Sequence, residues 1–134
     1  MEIRTGCSGW SYGQWVGPFY PPGTKSSDFL KLYSRIFDLV EIDSSFYGIP
    51  EAITVEKWKS SVPSNFSFTA KMPQTVTHDL RLRSAVNEAR SFIDAIGKLE
   101  ENLAMILIQL PPFTFFSGGI QEFEIPCRGV AFRF

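Results

Sequence analysis

The chain has 134 residues, enough for one domain with a real core but not for two. Its 44% apolar and 20% charged residues are ordinary for a soluble globular protein, and Phe dominates a heavy aromatic content. A formal charge of -1 spreads no basic field, so neither nucleic acid nor an anionic membrane is an expected partner, and no run reaches the ~18 apolar residues of a membrane span.

The N-terminal MEIRTGCSGW shows no basic-then-apolar leader pattern and enters a strand directly, over Ile3 to Cys7. Cys7 and Cys127 fit no CxxC or zinc spacing. Two buried thiols in a reducing cytoplasm are the expectation. Ser8 to Lys25 is far longer than the ~2–6 residues usual between a strand and a helix. Its glycines and prolines stop any regular element, and its aromatics (Trp10, Tyr12, Trp15, Phe19, Tyr20) suggest a self-packed or ligand-holding loop.

Ser26 and Ser27 are candidate N-caps, and Phe29, Leu32, Tyr33, Ile36 and Phe37 recur at helical spacing behind them. Leu39 to Asp43 alternates as a strand, with Val40 and Ile42 on one side and Glu41 and Asp43 on the other. A helix begins at Pro50 or Thr54, carries Val55, Trp58 and Val62 on one stripe, and stops at Pro63. Phe66 to Lys71 is a strand with Phe66, Phe68 and Ala70 opposite Ser67, Thr69 and Lys71. Met72 to Leu82 reads as a loop holding the chain's one histidine, His78. Ala85, Ala89, Phe92, Ile93 and Ile96 mark a third amphipathic helix. Leu103 to Leu110 is a continuous apolar strand of the kind covered on both faces. Beyond Pro112 there is room for at most about two turns of helix, between Gly119 and Pro126, before a fifth strand at Gly129 to Phe134.

Alternating strands and helices with short connections imply a parallel sheet with right-handed crossovers. The fold class is therefore α/β. Closed into a barrel, the polar sets of the second and third strands would face the lumen.

Several strings resemble one family, the YecE-like proteins of domain of unknown function 72. They are GCSGWSY (Gly6–Tyr12) followed by W-x-G-x-FYP (Trp15–Pro21), EIDSSFYGIP (Glu41–Pro50), Trp58 and Pro63 leading into FSFTAKMP (Phe66–Pro73), Thr77-His78, and LIQLPP (Leu107–Pro112). The resemblance implies a (β/α)8 TIM-barrel-like fold of about 250 residues. It covers the N-terminal half alone: residues 1–134 would form a single partial domain, a half barrel of about four βα units plus a fifth strand. The family's usual Glu-Phe-Arg strand reads Ala131-Phe132-Arg133-Phe134 here, with Arg133 in the glutamate's place, and the C-terminal histidine-glycine and paired-asparagine motifs are missing. The resemblance implies no established activity and leaves any cofactor unknown.

Order and alternation aim Glu41, Asp43, Thr69, Lys71 and Gln109 into the lumen, with Ser44, Ser45 and Tyr47 just above. Glu41 and Lys71 are candidate catalytic acid and base, since a carboxylate and a partly buried lysine shift each other's affinity for protons. A plain lumen salt bridge is the structural alternative. His78, in the family-like Thr-His pair, is the third catalytic candidate. Trp10, Tyr12, Asp43, Ser45, Tyr47 and Gln109 are candidate substrate contacts; the other loop aromatics are expected to form a mini-core over the mouth. Two carboxylates and one distant histidine are too few ligands to assign a metal. Gly6 to Gly13 lacks the GK[ST] of a phosphate loop.

The leading expectation is a cytoplasmic protein derived from an enzyme that acts on a small polar substrate (sugar, phosphoester or hydroxy-carbonyl) at the mouth. The alternatives are a half barrel that associates with itself or with a separate C-terminal half, and a truncated gene product without function. Single-strand nucleic-acid binding by the aromatic loop ranks last.

Overall fold

Alternation along each strand decides the two faces of the sheet. In the computed structural model, which describes residues 3–112 and 130–133 (the last four by their backbone), five strands and three longer helices alternate. They are β1 (Gly6–Ser8), α1 (Phe29–Tyr33), β2 (Leu39–Ile42), α2 (Ala52–Ser60), β3 (Ser67–Lys71), α3 (Val86–Ile96), β4 (Leu103–Gln109) and β5 (Val130–Arg133). All neighbouring pairs are parallel, in the order β1-β2-β3-β4-β5. The fold is α/β, and all strand C-termini lie along one edge of the sheet.

One face carries Val40, Ile42, Phe68, Ala70, Ile106 and Ile108, all essentially buried. Against it pack Leu30 and Tyr33 of α1, Val55 of α2, and Ala89, Phe92 and Ile96 of α3. These are the helical positions that the 3.6-residue period selects. The other face carries Ser8, Glu41, Thr69, Lys71, Met105, Leu107 and Gln109, each half-buried or exposed. The apolar run of β4 is therefore not covered on both faces, as its composition suggests. Among the described residues Ala104 and Met105 are exposed.

Three side chains close the gaps where backbone pairing begins or ends. Tyr33, fully buried, accepts the Cys7 N–H through its hydroxyl oxygen at 2.6 Å and donates to the Leu39 carbonyl at 3.1 Å. Burial pushes the pKa of its phenol well above the usual tyrosine value. The buried Asn102 amide donates to the Phe66 carbonyl at 2.6 Å and lies within 3.3 Å of the Pro63 and Ser64 carbonyls. Ser45 does the same at the other end of the sheet, as described below. Each spares buried backbone groups the cost of lost hydration.

The long loop after β1 holds one short 3-10 turn (Gly13–Trp15) and an isolated bridge from Val16 to Tyr20. Its aromatics do form a mini-core, but they form it against α1 and not over the strand ends. Tyr20 stacks on Phe29 at 4.4 Å, Trp15 lies parallel to Tyr33, and Phe19 meets Phe37. Tyr20 donates to the Trp10 carbonyl at 2.7 Å, and burial raises its pKa to about 12.

Other expectations shift locally. Ser26 and Ser27 belong to a 3-10 turn, and neither caps a helix through its side chain. Helix α1 stops at Tyr33, after which Arg35 and Ile36 bond three residues back. That tighter turn rotates Ile36 off the core face and leaves it 68% exposed. The segment after β3 is not simply a loop, because Thr75–Asp79 forms a π-helical turn. Cys7 is half-buried rather than buried. Cys127, Gly129, Phe134 and the short helix expected between Gly119 and Pro126 lie outside the described residues.

A methyl group on Gly6 would sit 1.8 Å from the Leu39 carbonyl oxygen, a backbone atom that cannot step aside. Gly6→Ala is expected to destabilise the chain by roughly 2–4 kcal/mol, whereas Gly13→Ala, which meets nothing, should stay within about 0.5 kcal/mol. Urea unfolding midpoints of the two variants check this; equal midpoints would refute the close approach of β1 to β2.

Candidate functional site

The parallel register builds the polar face as a staircase. Ser8, Glu41, Thr69 and Met105 stand side by side across four strands. Lys71 and Leu107 form the next step towards the C-terminal edge, and Gln109, level with Arg133 in the backbone ladder, the one after. Glu41 and Lys71 are thus diagonal neighbours on adjacent strands, a spacing that puts Cβ atoms roughly 7–8 Å apart.

They do not touch. Ser8 donates through Oγ to Glu41 Oε1 at 3.0 Å. Lys71 Nζ lies over the Phe46 ring, 5.0 Å from its centroid. Among the described residues no ion pair joins Lys71 to Glu41 or Asp43. The direct acid/base pair that the sequence suggests is therefore replaced by two charges, each held by a neutral partner.

His78 belongs to the lysine's cluster. Its ring meets Phe46 edge-on, with centroids 5.0 Å apart, so one phenyl ring separates the ammonium from the imidazole. His78 Nδ1 lies 2.8 Å from the hydroxyl of the fully buried Thr77. The π-helical turn presents this pair, and its Leu80 N–H reaches five residues back to Thr75. Such turns recur at functional sites. Beyond it, Arg81, Leu82 and Ser84 all adopt positive φ, a conformation that non-glycine residues hold only where surrounding contacts impose it.

Asp43 turns the other way, towards β1. A methyl group on Gly9 would lie 3.3 Å from its Oδ1 and 2.8 Å from the Tyr12 hydroxyl, and Gly9 itself sits at φ +77°. Tyr12 donates to the Ser8 carbonyl at 2.6 Å. Desolvation, and then the Asp43 carboxylate beside it, raise its phenol above the ordinary tyrosine pKa. Tyr12 and Asp43 are thus together beyond the C-terminal ends of β1 and β2.

Three candidates are placed elsewhere. Trp10 packs edge-on against Trp58 and Phe68, on the helix-covered side, so it is a core residue and not a mouth contact. Ser45 is buried, with its hydroxyl 2.7 Å from both the Ile42 and Lys71 carbonyls, and it serves the backbone. Tyr47 is 77% exposed and packs edge-on against Phe46 at the rim. Gln109 stays on the open face, exposed, at the edge of the sheet. Three contributors were missed by sequence reasoning: Ser8, Phe46 and Thr77. Each lies inside a motif already singled out, next to a charged or titratable residue. No group of three or more His, Cys, Asp or Glu side chains among the described residues is placed to hold a metal ion. No helix among them is long and apolar enough to cross a membrane.

Residues 4–130 match the model of the protein family of unknown function DUF72. The UPF0759 protein YunF of Bacillus subtilis is 36% identical over 117 residues, which are 83% of this chain and 40% of YunF. YecE of Escherichia coli K12 is 28% identical over 81% of this chain and 38% of its own length. Among solved structures, a DUF72 family protein of Thermotoga maritima superposes with a TM-score of 0.72 at 34% identity, covering 85% of this chain and 46% of that one. A DUF72 protein of Enterococcus faecalis gives 0.67 at 25% identity, over 84% and 41%. The chain belongs to the DUF72 family, and it spans about two fifths of the length of the curated relatives it matches.

Removing the Ser45 hydroxyl leaves the carbonyls at the ends of β2 and β3 one donor short. Ser45→Ala is expected to cost about 1–3 kcal/mol, while Ser44→Ala, on the exposed neighbour, should be neutral within about 0.5 kcal/mol. Parallel urea titrations would show the difference.

Proposed function

We propose that this DUF72 chain supplies the N-terminal half of a (β/α)8 barrel that acts on a small polar substrate by acid/base chemistry at the C-terminal ends of the strands. The carrying observation is the pair Glu41 and Lys71 on one open face, a diagonal apart, each tethered to a neutral group and neither neutralised by the other. A sugar, phosphoester or hydroxy-carbonyl compound is of a size to bridge them. Glu41 exchanges the proton, Lys71 offsets negative charge, and Tyr12, Asp43 and Gln109 contact the polar periphery. Strand ends converging on one edge suit this reading, because barrel enzymes place their chemistry there. A cytoplasmic setting suits Cys7, a half-buried free thiol.

A panel of such compounds, screened by ligand-induced thermal shift and then by turnover on hits, tests the proposal. Glu41→Gln and Lys71→Ala are each expected to lower turnover at least about 100-fold, the contribution of a positioned acid or base. Full activity in both variants would end the acid/base reading.

The open face supports a second element of the proposal, association with another copy or with a complementary C-terminal half. Met105 is 39% exposed beside half-buried Leu107, and the matched relatives are more than twice as long. Exposed sheet faces and strand edges of this kind favour pairing. Light scattering on the purified chain is expected to report a dimer or larger species, and a stable monomer at all concentrations would rule out self-association.

A further inference from the structure

The hydroxyl of Thr77 has one proton and two candidate acceptors. The Pro73 carbonyl oxygen lies 3.2 Å away, beyond the usual range for an O–H···O bond. That oxygen also receives the backbone N–H groups of Val76, at 3.1 Å, and of Thr77 itself, at 3.2 Å, which occupy both of its lone pairs. His78 Nδ1 lies at 2.8 Å, within the normal range, and no other donor is recorded for it among the described residues. Two arrangements use these contacts: the hydroxyl proton on the 2.8 Å contact with Nδ1 accepting, or the proton on the Pro73 carbonyl with Nδ1–H donating to the hydroxyl oxygen. The shorter distance and the two N–H groups already on the carbonyl favour the first.

From this we infer that neutral His78 is held as the Nε2–H tautomer, so that it meets a ligand at the mouth as a hydrogen-bond donor and not as the base. Thr77 is the positioning residue that imposes this. The consequence rests on the reading of the mouth as a site and divides the labour within it. The base is left to Glu41, on the Ser8 side. His78 and Lys71, at the edge and over the face of Phe46, form the electropositive wall. The ligand group such a wall recognises is an electron-rich oxygen, such as a carbonyl, carboxylate or phosphoryl oxygen. Phe46 has a specific task here. It keeps the ring and the ammonium in one cluster without a hydrogen bond between them, so both remain free to donate outward.

Because His78 is the chain's single histidine, its two ring nitrogens can be read without assignment ambiguity by long-range nitrogen–proton NMR on uniformly labelled protein, at a pH where the ring is neutral. The wild type is expected to show Nε2 protonated and Nδ1 bare. Thr77→Val, which keeps the shape and removes the hydroxyl, should raise the Nδ1–H population about 2- to 10-fold, the range set by one net hydrogen bond. Thr77→Ser should restore the wild-type spectrum. A wild-type ring protonated at Nδ1 would overturn the inference, as would a Thr77→Val spectrum unchanged from wild type. If Thr77→Val fails to fold, the wild-type and Thr77→Ser spectra still decide. The measurement needs no substrate and no turnover, so a failed activity screen with a locked tautomer rejects the proposed reaction and leaves the tautomer standing.

Discussion

The C-terminal edge of the sheet depends on one buried hydroxyl. Ser45 stands where β2 has ended and the chain has turned, and its oxygen lies 2.7 Å from the last carbonyl of β2 and from the last carbonyl of β3. Two parallel strands normally diverge once their ladder stops, because nothing pairs the next carbonyls. Here one buried hydroxyl brings its single proton within reach of both, where an unmet acceptor costs most. The turn after β2 is thereby tied to the end of β3. That places Phe46, the next residue, between Lys71 at the end of β3 and His78 beyond it. The chemistry-bearing side chains owe their positions to a residue whose own side chain serves only the backbone.

How much of this is legible in the sequence follows from where simple periodicity holds. Inside β2 and β3 the two-residue period is strict, so Glu41, Thr69 and Lys71 could be assigned to one face, and Val40, Phe68 and Ala70 to the other. Helix α3 was as readable, because its apolar positions keep the 3.6-residue period without interruption. The period means nothing once the strand ends. Gly9, at φ +77°, reverses the chain after β1 and sends Trp10 to the helix side, against Trp58. Asp43 has left extended geometry (φ -80°, ψ -27°), so Ser45 turns inward instead of lining the mouth. The π-helical turn at Thr75–Asp79 has no compositional signature, since it differs from a loop or an α-helical turn only in the reach of its hydrogen bonds. On the connections the reading was partial: Tyr12, Asp43 and His78 lie at the strand ends, whereas Trp10 and Ser45 turn elsewhere.

The two faces of the sheet differ in kind. The helix-covered face follows the rule for a core: large apolar side chains with almost no exposure, and buried polar residues such as Asn102 given a partner, with Glu88 Oε2 on α3 buried without one. The open face follows no single rule. It mixes Glu41, Thr69 and Lys71 with Met105 and Leu107, too apolar for a solvated surface and too charged for a core. That mixture suits a face that lines an enclosed, partly hydrated space, where apolar residues shape the wall and charged ones meet the contents. It is also the composition to expect where a sheet is curved towards a wall supplied by other residues.

The unpaired state of Glu41 and Lys71 bears on which use of that space is open to it. Two opposite charges on adjacent strands would gain Coulomb energy by meeting, and a structural salt bridge would have them meet. Instead Glu41 takes a hydroxyl donor from its own register neighbour, and Lys71 takes the face of a phenyl ring. Both are weaker partners than an opposite charge, and both leave the formal charge intact. For half-buried side chains direct pairing would gain little, about 0–1 kcal/mol after the entropy of fixing both, so holding them apart costs little. The separation leaves the gap between them open to the small polar group of the proposed reaction, which the family match by itself does not specify.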